Sequence, residues 1–92
     1  MKLARAAQEY ARFPVDGAPS DAAPLEVSFD GGPWNEMRWE PGNTSASVLV
    51  SGPDVPNPDG VVLKAGRNVP AVRLTDTPEV VIRSTGGSID VT

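Results

Sequence analysis

The chain contains neither cysteine nor histidine. Together these absences remove the commonest general base, the commonest metal ligand and the strongest side-chain nucleophile. Serine triads in their usual form are excluded, as are thiolate metal sites and any disulfide that would compensate for a small core. Aromatic residues make up only 5% of the chain. Trp34, Trp39, Phe29, Met37 and Tyr10 therefore hold most of the large side-chain area. Big apolar side chains are also scarce before residue 25, so the first quarter is too poor in them to fold by itself. No apolar stretch follows Met1-Lys2-Leu3, because Arg5, Gln8, Glu9 and Arg12 interrupt it. Neither export nor a membrane span is expected, and Asn43-Thr44-Ser45 reads as a turn rather than a glycan acceptor.

What is present points to one small unit. Ninety-two residues support one thin core, and oligomerisation is a natural source of further stability. Ten prolines and nine glycines fall between apolar runs, as punctuation for many short elements. The net charge of −4 is unevenly spread. Residues 1–12 hold three bases (Lys2, Arg5, Arg12) against one acid (Glu9), and the remainder five bases against eleven acids. A basic arm on an acidic body suits head-to-tail pairing with another copy, or docking onto an acidic partner. Such a body is a poor partner for nucleic acid.

The spacing of Leu3, Ala6, Ala7, Tyr10 and Phe13 predicts a helix over residues 2–13, ended by Pro14. A helix of about three turns is marginal alone, so its stripe must be buried against this domain, by folding back over an open end, or against another chain, and docking in a groove of another subunit is the expectation. The stretch Pro14–Pro24 reads as an extended linker. Residues 1–24 are thus expected to form a docking arm and residues 25–92 a β-rich domain.

From Leu25 the apolar period becomes two. Leu25–Phe29 leads through Asp30-Gly31-Gly32 into a hairpin with Trp34–Trp39. Strands are then expected at Ala46–Ser51, Val61–Ala65, Ala71–Thr75, Glu79–Ser84 and Ser88–Val91. Turns are expected at Gly66-Arg67-Asn68, at Asp76-Thr77-Pro78 and at Gly86-Gly87, with a stiff loop over Gly52–Gly60. Val48-Leu49-Val50 and Val80-Val81-Ile82 both read as buried central strands. The fold class is mainly β: a small antiparallel sandwich or barrel of about seven short strands, with an N-terminal helical arm.

Asp30, Asp54, Asp59 and Asp76 sit beside glycine or in other turn-like runs, where aspartate caps its own backbone. A paired-carboxylate mechanism needs an enclosed cleft, and the chain is not expected to be an enzyme. Asp54, Asn57 and Asp59 ahead of Gly60 resemble half of a calcium loop, but the spacing is not that of an EF-hand and the distal glutamate is missing. No metal and no cofactor are expected. Trp39 is assigned to the core, whereas Trp34, after the turn, sits between core rim and interface. The candidate interface residues are Leu3, Arg5, Tyr10, Arg12 and Phe13 on the arm, and Trp34, Asp54, Asn57 and Asp59 on the body.

The stretches VSFDGGPWNEMRW, SVLVSGPD, VVLKAG and RLTDTPEVVIRSTGGSIDV resemble the small β-rich virion structural proteins of tailed phages that infect actinobacteria. The resemblance covers about residues 25–92. It implies an immunoglobulin-like or barrel-like module present in many symmetric copies, at the head-to-tail junction or on the capsid as a decoration or minor protein. It also implies contacts with neck, portal-proximal or capsid subunits and with further copies of the chain, in the virion and, during assembly, in the host cytoplasm. No direct nucleic-acid or membrane contact is implied. The alternative from another class is a carbohydrate-binding module using Trp34.

Overall fold

A computed structural model describes residues 1–15, 24–42, 44–76, 79–85 and 87–92. Residues 16–23 of the expected linker, Asn43 of the sequon, the Thr77-Pro78 turn and Gly86 lie outside the described residues. Eleven strands are described: β1 (Lys2–Leu3), β2 (Gln8–Pro14), β3 (Leu25–Phe29), β4 (Asn35–Glu36), β5 (Arg38–Trp39), β6 (Ser45–Ser51), β7 (Val61–Val62), β8 (Gly66–Asn68), β9 (Pro70–Asp76), β10 (Glu79–Ser84) and β11 (Ile89–Val91). They form three sheets, ordered β1-β11-β8, β10-β9-β3-β4 and β2-β6-β5, with β7 also paired to β6. Pairing is antiparallel except for two two-residue contacts, β1 with β11 and β6 with β7.

The N-terminal helix expected over residues 2–13 is corrected to strand. Residues 8–14 pair with β6 over seven positions, from Gln8 opposite Ser51 to Pro14 opposite Ser45. The apolar spacing that suggests a helix also satisfies a strand, since Ala11 and Phe13 stand two apart and both are buried, while Tyr10 is half exposed. A three-turn helix keeps its own backbone bonded but gains little alone. The strand gains the β6 ladder and buries its apolar side chains at once. Pro14, at the last position of an edge strand, removes no needed donor. Leu3 is 1% exposed, and its carbonyl accepts from Thr92 N–H at 3.0 Å. Leu3, Ala11 and Phe13 are therefore seated in their own protomer.

Between β1 and β2 the chain crosses the Gly52–Gly60 loop. Gly52 N–H donates to the Ala7 carbonyl at 3.0 Å, and Asp54 N–H to the Arg5 carbonyl at 3.2 Å. A Cβ on Gly52 would run into the Arg5 carbonyl, so only glycine permits this approach.

The β3–β4 hairpin turns where expected. Asp30 (φ 55) and Gly31 (φ 75) both take the left-handed conformation as the central residues of a tight turn closed by Gly32 N–H on the Phe29 carbonyl at 3.0 Å, within the five residues that join the strands. The run Trp34–Trp39, expected as one strand, is split at Met37. β4 pairs with β3, and β5 with β6, so the chain passes from one sheet to another while Met37 turns its side chain into the core. Gly66-Arg67-Asn68, expected as a turn, is strand β8, paired with β11. Gly66 takes a positive φ of 93 at its start, and the buried Asn68 amide donates to the Lys64 and Ile89 carbonyls at 3.0 and 3.2 Å. Leu3, Ala11, Phe13, Leu25, Val27, Met37, Ala46, Val48, Val50, Leu63, Ile89 and Val91 form one core drawn from all three sheets.

Leu3→Ala and Phe13→Ala are expected to cost about 2–5 kcal/mol each in urea denaturation of the isolated protein. Tyr10→Ala is expected to stay within about 0.5 kcal/mol. An arm that docked only on another subunit would leave all three near zero.

Candidate functional site

The four-stranded sheet buries one face and offers the other. Leu25 and Val27 point to the core, with Phe29, Val72 and Leu74 partly buried against it. On the opposite face, register aligns Glu36, Glu26, Arg73 and Ile82 in one row across β4, β3, β9 and β10. Arg73 donates to Glu26 Oε1 from Nε at 3.1 Å and from Nη2 at 2.7 Å. Its guanidinium lies 4.4 Å from the centroid of the Trp34 ring. The two contacts hold each other in place, because an arginine fixed by a carboxylate presents a flat cation to the indole face.

Beside this platform runs β10, an end strand of its sheet. Val80 and Ile82 are 56% and 60% exposed there. This corrects the expectation of a buried central strand. The stretches Val48-Leu49-Val50 and Val80-Val81-Ile82 read alike, but Val48 and Val50 are buried in β6, which has partners on both sides. Proteins ordinarily blunt such an edge with lysine, proline or shortness. β10 has six residues, EVVIRS, with no lysine or proline.

The sequence-derived interface residues divide differently. Leu3 and Phe13 are in the core. Tyr10 lies on the outer side of β2, with the Arg38 guanidinium 5.4 Å from its ring centroid, beside an open groove lined also by Met37, Leu49 and Asp59. Arg5 and Arg12, expected at an interface with another subunit, face Asp54 at 3.5 Å and Glu40 at 3.3 Å within the same protomer. Asn57 is buried, and its amide donates to the Leu49 and Val61 carbonyls at 3.1 and 3.4 Å. That amide braces its loop from inside. Trp34 joins the sheet platform, and Trp39 packs partly buried against the core.

Sequence reasoning missed Glu26, Arg73, Val80 and Ile82. The usable signal was charge. Glu79 and Arg83 bracket the apolar run, whereas Val48–Val50 is bracketed by serines, and a charge at each end is more typical of an edge.

Among the described residues, no group of three acidic side chains is placed to hold a metal ion, and no helix is long and apolar enough to cross a membrane. Asp30 stands in its turn and ties it to a neighbouring segment. Asp30 Oδ1 accepts from Val69 N–H at 2.9 Å, and Oδ2 lies 3.2 Å from Lys64 Nζ. The Val69 N–H, with Lys64 adding to it, holds the Asp30 carboxyl below the usual carboxylate range.

A carboxyl lowered in the fold stabilises it above the ordinary carboxylate value, and the contribution disappears as pH falls through the folded value. Asp30→Asn keeps the left-handed preference and an acceptor oxygen but removes the charge. Its melting temperature is expected to fall below that of the unmodified protein at pH 7, and the gap to close as pH drops below the carboxylate range. A gap that persists at pH 2 would assign the loss to geometry rather than charge.

The chain matches no family model, no curated protein and no solved structure.

Proposed function

We propose that the protein is a small structural module of a phage virion that joins subunits in the head-to-tail region, with an immunoglobulin-like sandwich as its body. The observation that carries the docking role is the outer face of the β4-β3-β9-β10 sheet. There Trp34 lies under Arg73, whose cross-strand neighbour on β10 is the exposed Ile82, two residues from the exposed Val80. Tryptophan and arginine are the residue types most enriched among the anchors of protein interfaces, and here both are preorganised by Glu26. Scattered exposed apolar residues are ordinary. Two in register on an unprotected edge, beside an aromatic–cation pair, form a patch that a partner would cover.

The virion setting rests on the sequence resemblance. In this reading docking runs through the sheet face rather than a free N-terminal arm, and the partners are neck or portal-proximal subunits, with capsid decoration as the alternative placement. The carbohydrate-binding alternative calls for an open indole face, and Arg73 covers one face of Trp34.

The test is incorporation. Particles assembled with the unmodified protein are expected to contain it, in rings of six- or twelvefold symmetry at the neck, or in icosahedral copies if it decorates the capsid, as seen by cryo-electron microscopy. Trp34→Ala, with an unchanged circular dichroism spectrum, is expected to be depleted from particles at least tenfold. Absence of the unmodified protein from particles would end the virion reading. Full incorporation of the variant would move docking away from this face.

A further inference from the structure

We infer that strand β10 is a homodimerisation edge, completed by the β10 of a second copy running antiparallel to it about a two-fold axis through residue 81. The argument begins with the available edges. Among the described strands, β1, β4, β5 and β7 have two residues and β8 three, too few for a lasting ladder. Two long edges remain. β2 ends in Pro14, which has no N–H to donate, and its charges Glu9 and Arg12 stand three apart, so no two-fold antiparallel register sets one against the other. β10 carries neither proline nor lysine, and exposes Val80 and Ile82.

The sequence of β10 is complementary to itself. A two-fold axis through residue 81 sets residue 80 against residue 82 of the other copy, and residue 79 against residue 83. Valine then meets isoleucine twice on the outer face, and an acid meets a base twice, because residue 79 is glutamate and residue 83 arginine. Cross-strand pairs of β-branched residues and of opposite charge both favour association. In this register every pair joins residues an even number apart. Those whose N–H and C=O face the open edge therefore meet residues that do the same, which an antiparallel ladder requires. Moving the axis to residue 80 sets Glu79 against residue 81 and loses the acid–base match. Moving it to residue 82 sets Glu79 against Thr85 and breaks the acid–base match. The symmetric contact is closed, so it yields a dimer rather than a fibre.

The result is one continuous eight-stranded sheet in which the two Trp34–Arg73 platforms lie on the same face. The inference does not rest on the virion reading. A monomer would leave that reading to its own test, and absence from virions would leave the dimer standing.

Analytical ultracentrifugation of the full chain over a concentration series tests it. The unmodified protein is expected to pass from monomer to dimer. Ile82→Lys, at a position 60% exposed in the protomer, is expected to weaken dimerisation at least tenfold. Glu79→Arg sets arginine against arginine twice and is expected to weaken it by about tenfold, and Glu79→Arg/Arg83→Glu to restore it. Hydrogen exchange at residues 80–84 is expected to slow on dimerisation, with circular dichroism confirming that each variant is folded. A protein that remains monomeric to about 1 mM, the weak end of specific association, would overturn the inference. So would a dimer indifferent to all three variants, or a charge swap that fails to restore what Glu79→Arg removes.

Discussion

The seven-position ladder between β2 and β6 is the contact on which the other sheets lean. β6 is the innermost strand, with Ala46 and Val50 fully buried, and the opposite edge of β6 receives only the two-residue strands β5 and β7. β2 supplies the one long partner that β6 has, and brings Ala11 and Phe13 over the core as it does so. Its upstream neighbour β1 then lies parallel to β11, where Leu3 closes the core against Ile89 and Val91. Detaching the first fourteen residues would open the core along one side and leave one edge of β6 unpaired over its whole length, a loss no other described element compensates.

A core this small, without disulfides, needs its loops held as firmly as its strands. Three polar side chains do this. Asp30 ties the β3–β4 turn to residues 64 and 69. Asn57 braces the proline-containing loop against β6 and β7. Asn68 joins β8 to β11. Each places a polar group over backbone atoms that a loop would otherwise leave to water, and each is satisfied in return. The chain uses asparagine and aspartate where a disulfide-rich domain of this size would use cystine.

The β-rich class, the Asp30-Gly31 hairpin and the central position of β6 were legible in the sequence because period-two alternation and left-handed turn residues are local signals. The arm was not legible. Leu3, Tyr10 and Phe13 fit a helical stripe as well as Leu3, Ala11 and Phe13 fit strands, and what decides between them is β6, some forty residues away. The same holds for Gly66-Arg67-Asn68, whose strand exists only because β11 lies alongside it. Of the candidate site, Trp34 was readable as a residue at a turn, but its partner Arg73 and the row of Glu26 and Ile82 depend on register between strands far apart in sequence. Asn57 was misassigned outward because a Pro- and Asp-rich loop looks solvated, although one of its side chains points inward.

Val48-Leu49-Val50 and Val80-Val81-Ile82 pose the functional question in its simplest form. Their compositions are nearly equal, yet one is enclosed on both edges and the other on one, and composition alone does not say which. The charges at 79 and 83 add the missing information. A strand intended for a protein interior gains nothing from charges at its ends, and a strand meant to stay solvent-exposed is better protected by a lysine or proline within it. An apolar run with an acid at one end and a base at the other satisfies a third requirement, recognition of its own reverse. In that arrangement the exposed valine and isoleucine are the unpaired half of a contact, and the stability that the protomer forgoes at this edge becomes available to the assembly.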